Sequence, residues 1–226
     1  MNLRRDVPIL LAAIAAIIGA SLDGDGRWLH WIAKPLATLL IAAMVLRRSA
    51  GLWPAPPETI TPHAYARAIL LGMLLSCIGD IALMLPFDAF VPGLIAFLLA
   101  HLCYIVAFRA GLRAGRGLAL AAALLALFAG INLAGLWPLL PAELRIPVVV
   151  YVAVLALMAT LALARAWSAA PNAAPGARWA ATGAVLFVIS DCTLAWDRFG
   201  GGLPAASLCI LATYYAAQYC IARSTD

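Results

Sequence analysis

The sequence predicts an all-α integral membrane protein, a single domain of eight transmembrane helices. Three observations support this prediction. The 226 residues are 65% hydrophobic and carry only 15 Lys+Arg and 10 Asp+Glu, whereas soluble domains average about 45–50% apolar and about 25% charged residues. The mean hydropathy is +1.00. Long apolar runs bounded by Gly, Pro and charged residues repeat along the chain. These features exclude an ordinary soluble domain, a disordered chain and a secreted disulfide scaffold.

The apolar runs define the individual spans. They cover residues 7–22, 28–46, 64–85, 91–108, 117–136, 144–166, 178–196 and 204–222. The runs are 16 to 23 residues long, close to the roughly 20 helical residues that cross the hydrocarbon core of a bilayer, so each is a candidate span. The longest connection, residues 47–63, contains Pro54, Pro56, Pro57 and Pro62. Because proline disrupts helices, we expect an exposed loop there.

The positive charges predict that both termini are cytoplasmic. When the spans are placed alternately in and out, 11 Lys and Arg residues fall on the side of the termini and 3 on the opposite side, and cytoplasmic loops carry such an excess. The first span also has features of a signal peptide, since Arg4 and Arg5 precede an apolar stretch that ends in Gly19-Ala20-Ser21.

The remaining charge and cysteine patterns exclude other functions. The net charge is +5, but no run of basic residues is longer than two, so we expect no nucleic-acid partner. The five cysteines all lie in apolar segments, without a CxxC motif. We therefore interpret them as small packing residues rather than disulfides or zinc ligands.

Four ionisable residues lie inside predicted spans, namely Lys34, Asp80, His101 and Asp191. Each costs about 2.5–3.5 kcal/mol to insert at a helix centre, so each requires an explanation. At 1.5 Å per helical residue, the two carboxyls lie about 7–8 Å from one boundary and the lysine about 9 Å. The histidine lies about 15 Å deep, near the middle. The spacing predicts one polar pocket that opens outward, with an imidazole beneath it.

Other polar residues have a helical spacing that would place them near this pocket. They are Ser76, Tyr104, Tyr151, Ser190, Tyr214 and Gln218. All of these residues also have a structural interpretation. Lys34 can snorkel to the boundary, the aspartates can pair with it to hold helices together, and His101 can be a hydrogen-bonded core residue.

Several motifs, taken together, resemble a known family. The motifs are Lys34-Pro35; Gly79-Asp80 with Leu83-Met84; Phe90, Gly93, Phe97, His101 and Tyr104; Gly183-Ala184 with Leu186-Phe187, Ser190-Asp191 and Leu194-Ala195; and Tyr214-Tyr215 with Ala217-Gln218. Their order and spacing, over some four-fifths of the chain, resemble the YhhN-like family of integral membrane proteins, which includes the lysoplasmalogenases.

The resemblance implies an eight-helix bundle in a bacterial inner membrane that hydrolyses the vinyl ether bond of lysoplasmalogens. The products are a fatty aldehyde and a glycerophospho-ethanolamine or glycerophospho-choline. Asp80 and Asp191 match the catalytic pair, and the partners are the lysophospholipid substrate and membrane lipid. Ceramidase-like hydrolases, considered distant relatives, bind zinc through histidines. The histidines here, His30, His63 and His101, do not share one level, so we expect no metal and no cofactor.

The chemistry of vinyl ethers fits these residues. Cleavage requires a proton donor for the distal carbon, an anion near the oxocarbenium ion that forms, and a positioned water. Two carboxyls in a low-dielectric site do not ionise independently, so one can stay protonated while the other is charged. Lys34 can bind the substrate phosphate or keep one aspartate ionised, and His101 or Tyr104 can orient the water or a carboxyl.

A proton-coupled transporter of small solutes would use the same carboxyls. Such transporters often have inverted repeats and helices broken in mid-span. Here residues 78–83 resemble residues 189–194 in a parallel sense, and proline lies mainly in loops and at span ends. We therefore favour the hydrolase and keep the transporter as the alternative. The sequence does not indicate an oligomeric state.

Overall fold

The computed structural model describes residues 3–22, 26–49, 62–168 and 174–225. Within these ranges the chain forms eight α-helices, one short 3-10 helix at Trp137–Leu139 and no strand, which confirms the all-α prediction. The helices are α1 (Leu3–Ala20), α2 (Arg27–Ser49), α3 (Pro62–Met84), α4 (Phe90–Phe108), α5 (Arg116–Leu136), α6 (Ala142–Ser168), α7 (Ala174–Phe199) and α8 (Ala206–Arg223).

Six of these helices are long and apolar enough to cross a membrane, so the chain is a multi-pass integral membrane protein. The six segments are Arg27–Arg47, Ala64–Met84, Phe90–Phe108, Arg116–Leu139, Ala142–Ser168 and Pro175–Phe199. The apolar segment of α1, Asp6–Ala20, is shorter, and α8 is not among the six.

The proline-rich connection between α2 and α3 is shorter than predicted. Helix α2 continues to Ser49, and α3 begins at Pro62, which we had expected in the loop. Proline is tolerated in the first turn of a helix because its missing N–H would have no helical acceptor there. Residues 50–61, with the other three prolines of the predicted loop, lie outside the described residues.

Seven of the described helices form a closed bundle, and α5 lies on its outside. Each helix from α1 to α4 packs against the next, α4 packs against α6, and α6 to α8 follow in turn until α8 returns to α1 and α2. Helix α5 packs mainly on α6 and touches α7 little. Only Ala121 and Leu136 of α5 are buried. We call the end of the bundle with the α1–α2, α3–α4, α5–α6 and α7–α8 connections the mouth end.

Glycines allow neighbouring helices to approach closely at two crossings. A Cβ atom added to Gly183 of α7 would lie 2.8 Å from the backbone oxygen of Ala217 and 3.0 Å from the backbone nitrogen of Ile221 in α8. A Cβ on Gly79 of α3 would lie 2.6 Å from the Phe97 ring of α4. Small residues at helix interfaces let membrane helices pack in this way. Gly79 directly precedes Asp80, and Gly183 lies about two helical turns before Asp191.

Gly183→Ala is therefore expected to destabilise the protein, because the new methyl group meets backbone atoms that cannot rotate away. Overpacking of this kind costs about 1–3 kcal/mol. Gly130→Ala in α5 is the matched control, since its Cβ has nothing within 4 Å. Thermal unfolding in detergent should show a lower Tm for Gly183→Ala and an unchanged or higher Tm for Gly130→Ala. Equal Tm values for the two variants would contradict the close crossing.

Candidate active site

A partly open cavity of about 430 Å³ lies between the helices and reaches the mouth end. All eight described helices contribute to its lining. The polar and charged lining residues are Arg27, His30, Lys34, Asp80, Asn132, Tyr151, Ser190, Asp191, Cys192, Asp197, Ser207 and Tyr214. Most of the other lining residues are apolar. The cavity therefore combines two carboxyls from α3 and α7 with a surface suited to hydrocarbon.

Asp80 on α3 is 1% exposed and has three partners. Its Oδ2 atom accepts hydrogen bonds from the hydroxyl groups of Thr38 at 2.8 Å and Tyr214 at 2.6 Å. The Nζ atom of Lys34 lies 3.5 Å from Oδ1. Hydrogen-bond donors and a nearby cation both favour the charged form of a carboxyl. These three contacts therefore oppose the cost of burying a charge at Asp80.

A hydrogen-bonded chain continues from Asp80 into the core. The amide nitrogen of Gln218 donates to the Tyr214 hydroxyl at 3.3 Å, and the Tyr104 hydroxyl donates to the Gln218 oxygen at 2.9 Å. Tyr104 and Gln218 are completely buried. These hydrogen bonds link α3, α8 and α4. Gln218 and Tyr104 therefore help to hold the Tyr214 hydroxyl in its orientation toward the carboxylate.

Asp191 on α7 has a different environment. The Tyr151 hydroxyl of α6 donates to Oδ2 at 2.5 Å, and Oδ1 has no hydrogen-bond partner among the described residues. No cation of the described part of the chain pairs with this carboxyl. Asp191 is only partly buried. The two aspartates therefore line one cavity, but they differ in the charge that surrounds them.

His101 is placed apart from the cavity. It is completely buried, its ring centroid lies 4.7 Å from that of Phe187 and 5.4 Å from that of Tyr151, and neither ring nitrogen has a partner within the described residues. Ser76 is also buried and does not line the cavity. Ser190 lines it, but its hydroxyl donates to the backbone oxygen of Ile210 at 3.0 Å and so joins α7 to α8.

Sequence reasoning did not single out Asn132 of α5 or Thr38 of α2. The Asn132 side-chain oxygen accepts hydrogen bonds from Cys192 Sγ at 3.1 Å and Trp196 Nε1 at 3.0 Å, both on α7. Its amide nitrogen donates to the backbone oxygen of Phe128 at 2.9 Å. An asparagine in an apolar helix is a weaker signal than a charged residue. Thr38 follows Lys34 by four residues, so the two lie on one face of α2.

The described residues contain no group of three or more His, Cys, Asp or Glu side chains that could hold a metal ion. The arrangement is suited to acid–base chemistry. Asp80 has a cation and two hydroxyl donors beside it, Asp191 has no counter-charge in the part of the chain that the structure describes, and both line the same cavity. Groups whose environments differ in this way can act as acid and base within one site.

Most of the chain matches the model of one known protein family. The model of the YhhN family matches residues 29–225, and this match confirms the resemblance seen in the motifs. No solved structure matches.

Curated proteins also match over most of the chain. Human lysoplasmalogenase TMEM86B is 35% identical over 87% of this chain and 75% of its own length. Lysoplasmalogenase TMEM86A from Bos taurus is 32% identical over 87% of this chain and 78% of its own length. A lysoplasmalogenase from Mycobacterium tuberculosis is 40% identical over 69% of this chain and 59% of its own length.

The ion pair between Lys34 and Asp80 leads to a test by stability. Lys34→Met leaves a buried carboxyl without its cation, and breaking a buried pair from one side costs about 3–5 kcal/mol. Adding Asp80→Asn removes the remaining charge, so the double variant should recover much of the lost stability. Unfolding in detergent would measure the stability of the wild type and of both variants. A double variant that is less stable than Lys34→Met would contradict the pairing.

Proposed function

The chain belongs to the YhhN family, and we propose that it is a membrane hydrolase that cleaves the vinyl ether bond of lysoplasmalogens. The products would be a fatty aldehyde and a glycerophospho-ethanolamine or glycerophospho-choline. The observation that supports the proposal most directly is the contrast between Asp80 and Asp191 in one largely apolar cavity. The names of the matched relatives point to the same substrate.

Asp191 is the proton donor in this proposal. A carboxyl in an apolar cavity without a counter-charge is more stable when it carries a proton. The oxygen that Tyr151 does not engage is available for substrate. Transfer of the proton to the vinyl carbon distal to the ether oxygen produces an oxocarbenium ion. The carboxylate left on Asp191 balances its positive charge, which is the interaction that lowers the barrier.

Asp80 is the base that activates water. Lys34, Thr38 and Tyr214 keep it ionised, so it can accept a proton while water attacks the oxocarbenium carbon. The hemiacetal then collapses to the aldehyde as its hydroxyl proton passes to Asp191. The leaving glycerol oxygen takes the proton from Asp80. Both carboxyls thereby return to their starting forms, and no metal or cofactor is required.

This assignment decides between the two roles considered for Lys34. The lysine side chain is 10% exposed and lies 3.5 Å from Asp80, so we assign it to the carboxylate rather than to the substrate phosphate. The hydrocarbon chain of the substrate would lie along the apolar lining that α5 and α6 provide, which includes Leu125, Phe128, Val152 and Leu155.

We further propose that all eight helices cross the membrane with both termini in the cytoplasm. The charge distribution supports this arrangement, and so does the cavity, because all eight described helices line it. The mouth end then faces away from the cytoplasm, and a lysophospholipid can present its headgroup there.

Asp80→Asn and Asp191→Asn should each lower aldehyde release from lysoplasmenyl lipid by about 10²–10⁴-fold, the usual scale for general acid–base catalysis. The double variant should be little worse, since groups that act as a unit are not additive. Asp88→Asn is the control, because Asp88 is exposed, pairs with Arg198 and does not line the cavity.

The same assay includes saturated-ether and acyl analogues, which should release no aldehyde. Folded Asn variants with normal turnover would contradict the paired-aspartate mechanism. A wild type that turns over none of these lipids but moves solute across liposomes would favour the transporter.

Reporter fusions test the proposed topology. Reporters placed after Arg48, Arg116 and Asp226 should be cytoplasmic, and reporters after Asp25 and Asp88 should be external, because the basic residues concentrate on the side of the termini. An external reporter after Arg116, or a cytoplasmic one after Asp88, would contradict the eight-span arrangement.

A further inference from the structure

Three basic side chains of α2 line the cavity in a row. Arg27, His30 and Lys34 are spaced by three and four residues, so they share one face of the helix, and all three contribute to the cavity lining. The row starts with Arg27, the first residue of α2, at the mouth end. It ends with Lys34, which lies beside Asp80. It therefore follows the path between the opening and the carboxylate.

The two inner members of the row are already engaged. Lys34 pairs with Asp80, and the Nδ1 atom of His30 lies 2.9 Å from the backbone oxygen of Ala16. Arg27 is exposed, and its guanidinium has no ion-pair partner among the described residues. It brings a positive charge to the mouth of a cavity whose lining is mostly apolar.

The distance along the helix matches the shape of the substrate. In a lysoplasmalogen, three glycerol carbons and one oxygen separate the vinyl ether oxygen from the phosphorus, a span similar to one helical turn of about 5.4 Å. If the reacting bond lies at the level of Asp80 and Lys34, the phosphate lies about one turn nearer the mouth. Arg27 begins about 10 Å from Lys34 along the axis, and its long side chain covers the difference.

We propose that Arg27 binds the phosphate group of the lysophospholipid and is the residue that selects phosphorylated substrates. This inference rests on the proposed function. A guanidinium can donate two parallel hydrogen bonds to a phosphate, and the first turn of α2 adds backbone N–H groups that favour an anion. Because the contact is with the phosphate, the ethanolamine and choline headgroups are accepted alike, and an alkenylglycerol without phosphate is a poor substrate.

Arg27→Gln tests the proposal through kinetics. For lysoplasmenyl-ethanolamine and lysoplasmenyl-choline, KM should rise by about tenfold or more, the loss expected for a charge-assisted hydrogen bond, while kcat should change little. For 1-O-alkenylglycerol, the variant should match the wild type. Arg27→Lys should recover part of the affinity. Arg145→Gln is the control, because Arg145 stacks over Trp137 and does not line the cavity, and its KM should be unchanged.

A binding measurement separates this inference from the proposed function. The saturated-ether analogue of the lysophospholipid should bind the wild type more tightly than Arg27→Gln by a similar factor, whether or not the protein releases aldehyde. Inorganic phosphate should not compete at equal concentration, since the lipid chain contributes to binding. Equal affinity of the two proteins for the analogue, or full competition by phosphate, would overturn the proposal that Arg27 recognises a lipid headgroup.

Discussion

The buried ion pair of Lys34 and Asp80 is the interaction on which much of the remaining architecture depends. Removal of two charges from water is costly, and their attraction compensates for this cost only when further hydrogen bonds satisfy the carboxylate. The bundle provides these bonds from Thr38 on α2 and Tyr214 on α8. Gln218 and Tyr104 then hold Tyr214 in place. One charged contact thus determines how four helices present their polar side chains to each other.

Within the described ranges Asp191 has no cation partner, and this difference from Asp80 underlies the proposed chemistry of the site. The one hydrogen bond that it accepts from these residues comes from the Tyr151 hydroxyl. Cys192 and Trp196 lie on the same helix as Asp191. Both donate hydrogen bonds to Asn132 and so attach the outer helix α5 to α7. A cavity that contains one carboxyl with a cation and donors and a second carboxyl without such a cation would offer an anion and a proton to one reacting bond.

Much of the fold could be predicted from the sequence because the bilayer imposes long apolar helices. Hydropathy identified the all-α class, and the cost of burying charge identified Lys34 and Asp80 as residues that need partners. Neutral polar residues gave no comparable signal. Thr38 and Asn132 each make important hydrogen bonds, yet a threonine or asparagine is inexpensive enough in a helix to escape a search for charges.

Depth alone was also insufficient to place His101. The sequence gives its level in the membrane but not its direction around the helix axis, and the structure shows its ring packed among Phe187, Tyr151 and Tyr104 rather than lining the cavity. In the proposed mechanism the two aspartates differ in protonation, with Asp191 protonated and Asp80 ionised. Infrared difference spectroscopy at neutral pH tests it through the C=O stretching band of a protonated carboxyl, which shifts in D₂O. The band should disappear in Asp191→Asn and persist in Asp80→Asn. A band that is lost in Asp80→Asn and kept in Asp191→Asn would contradict this difference in protonation.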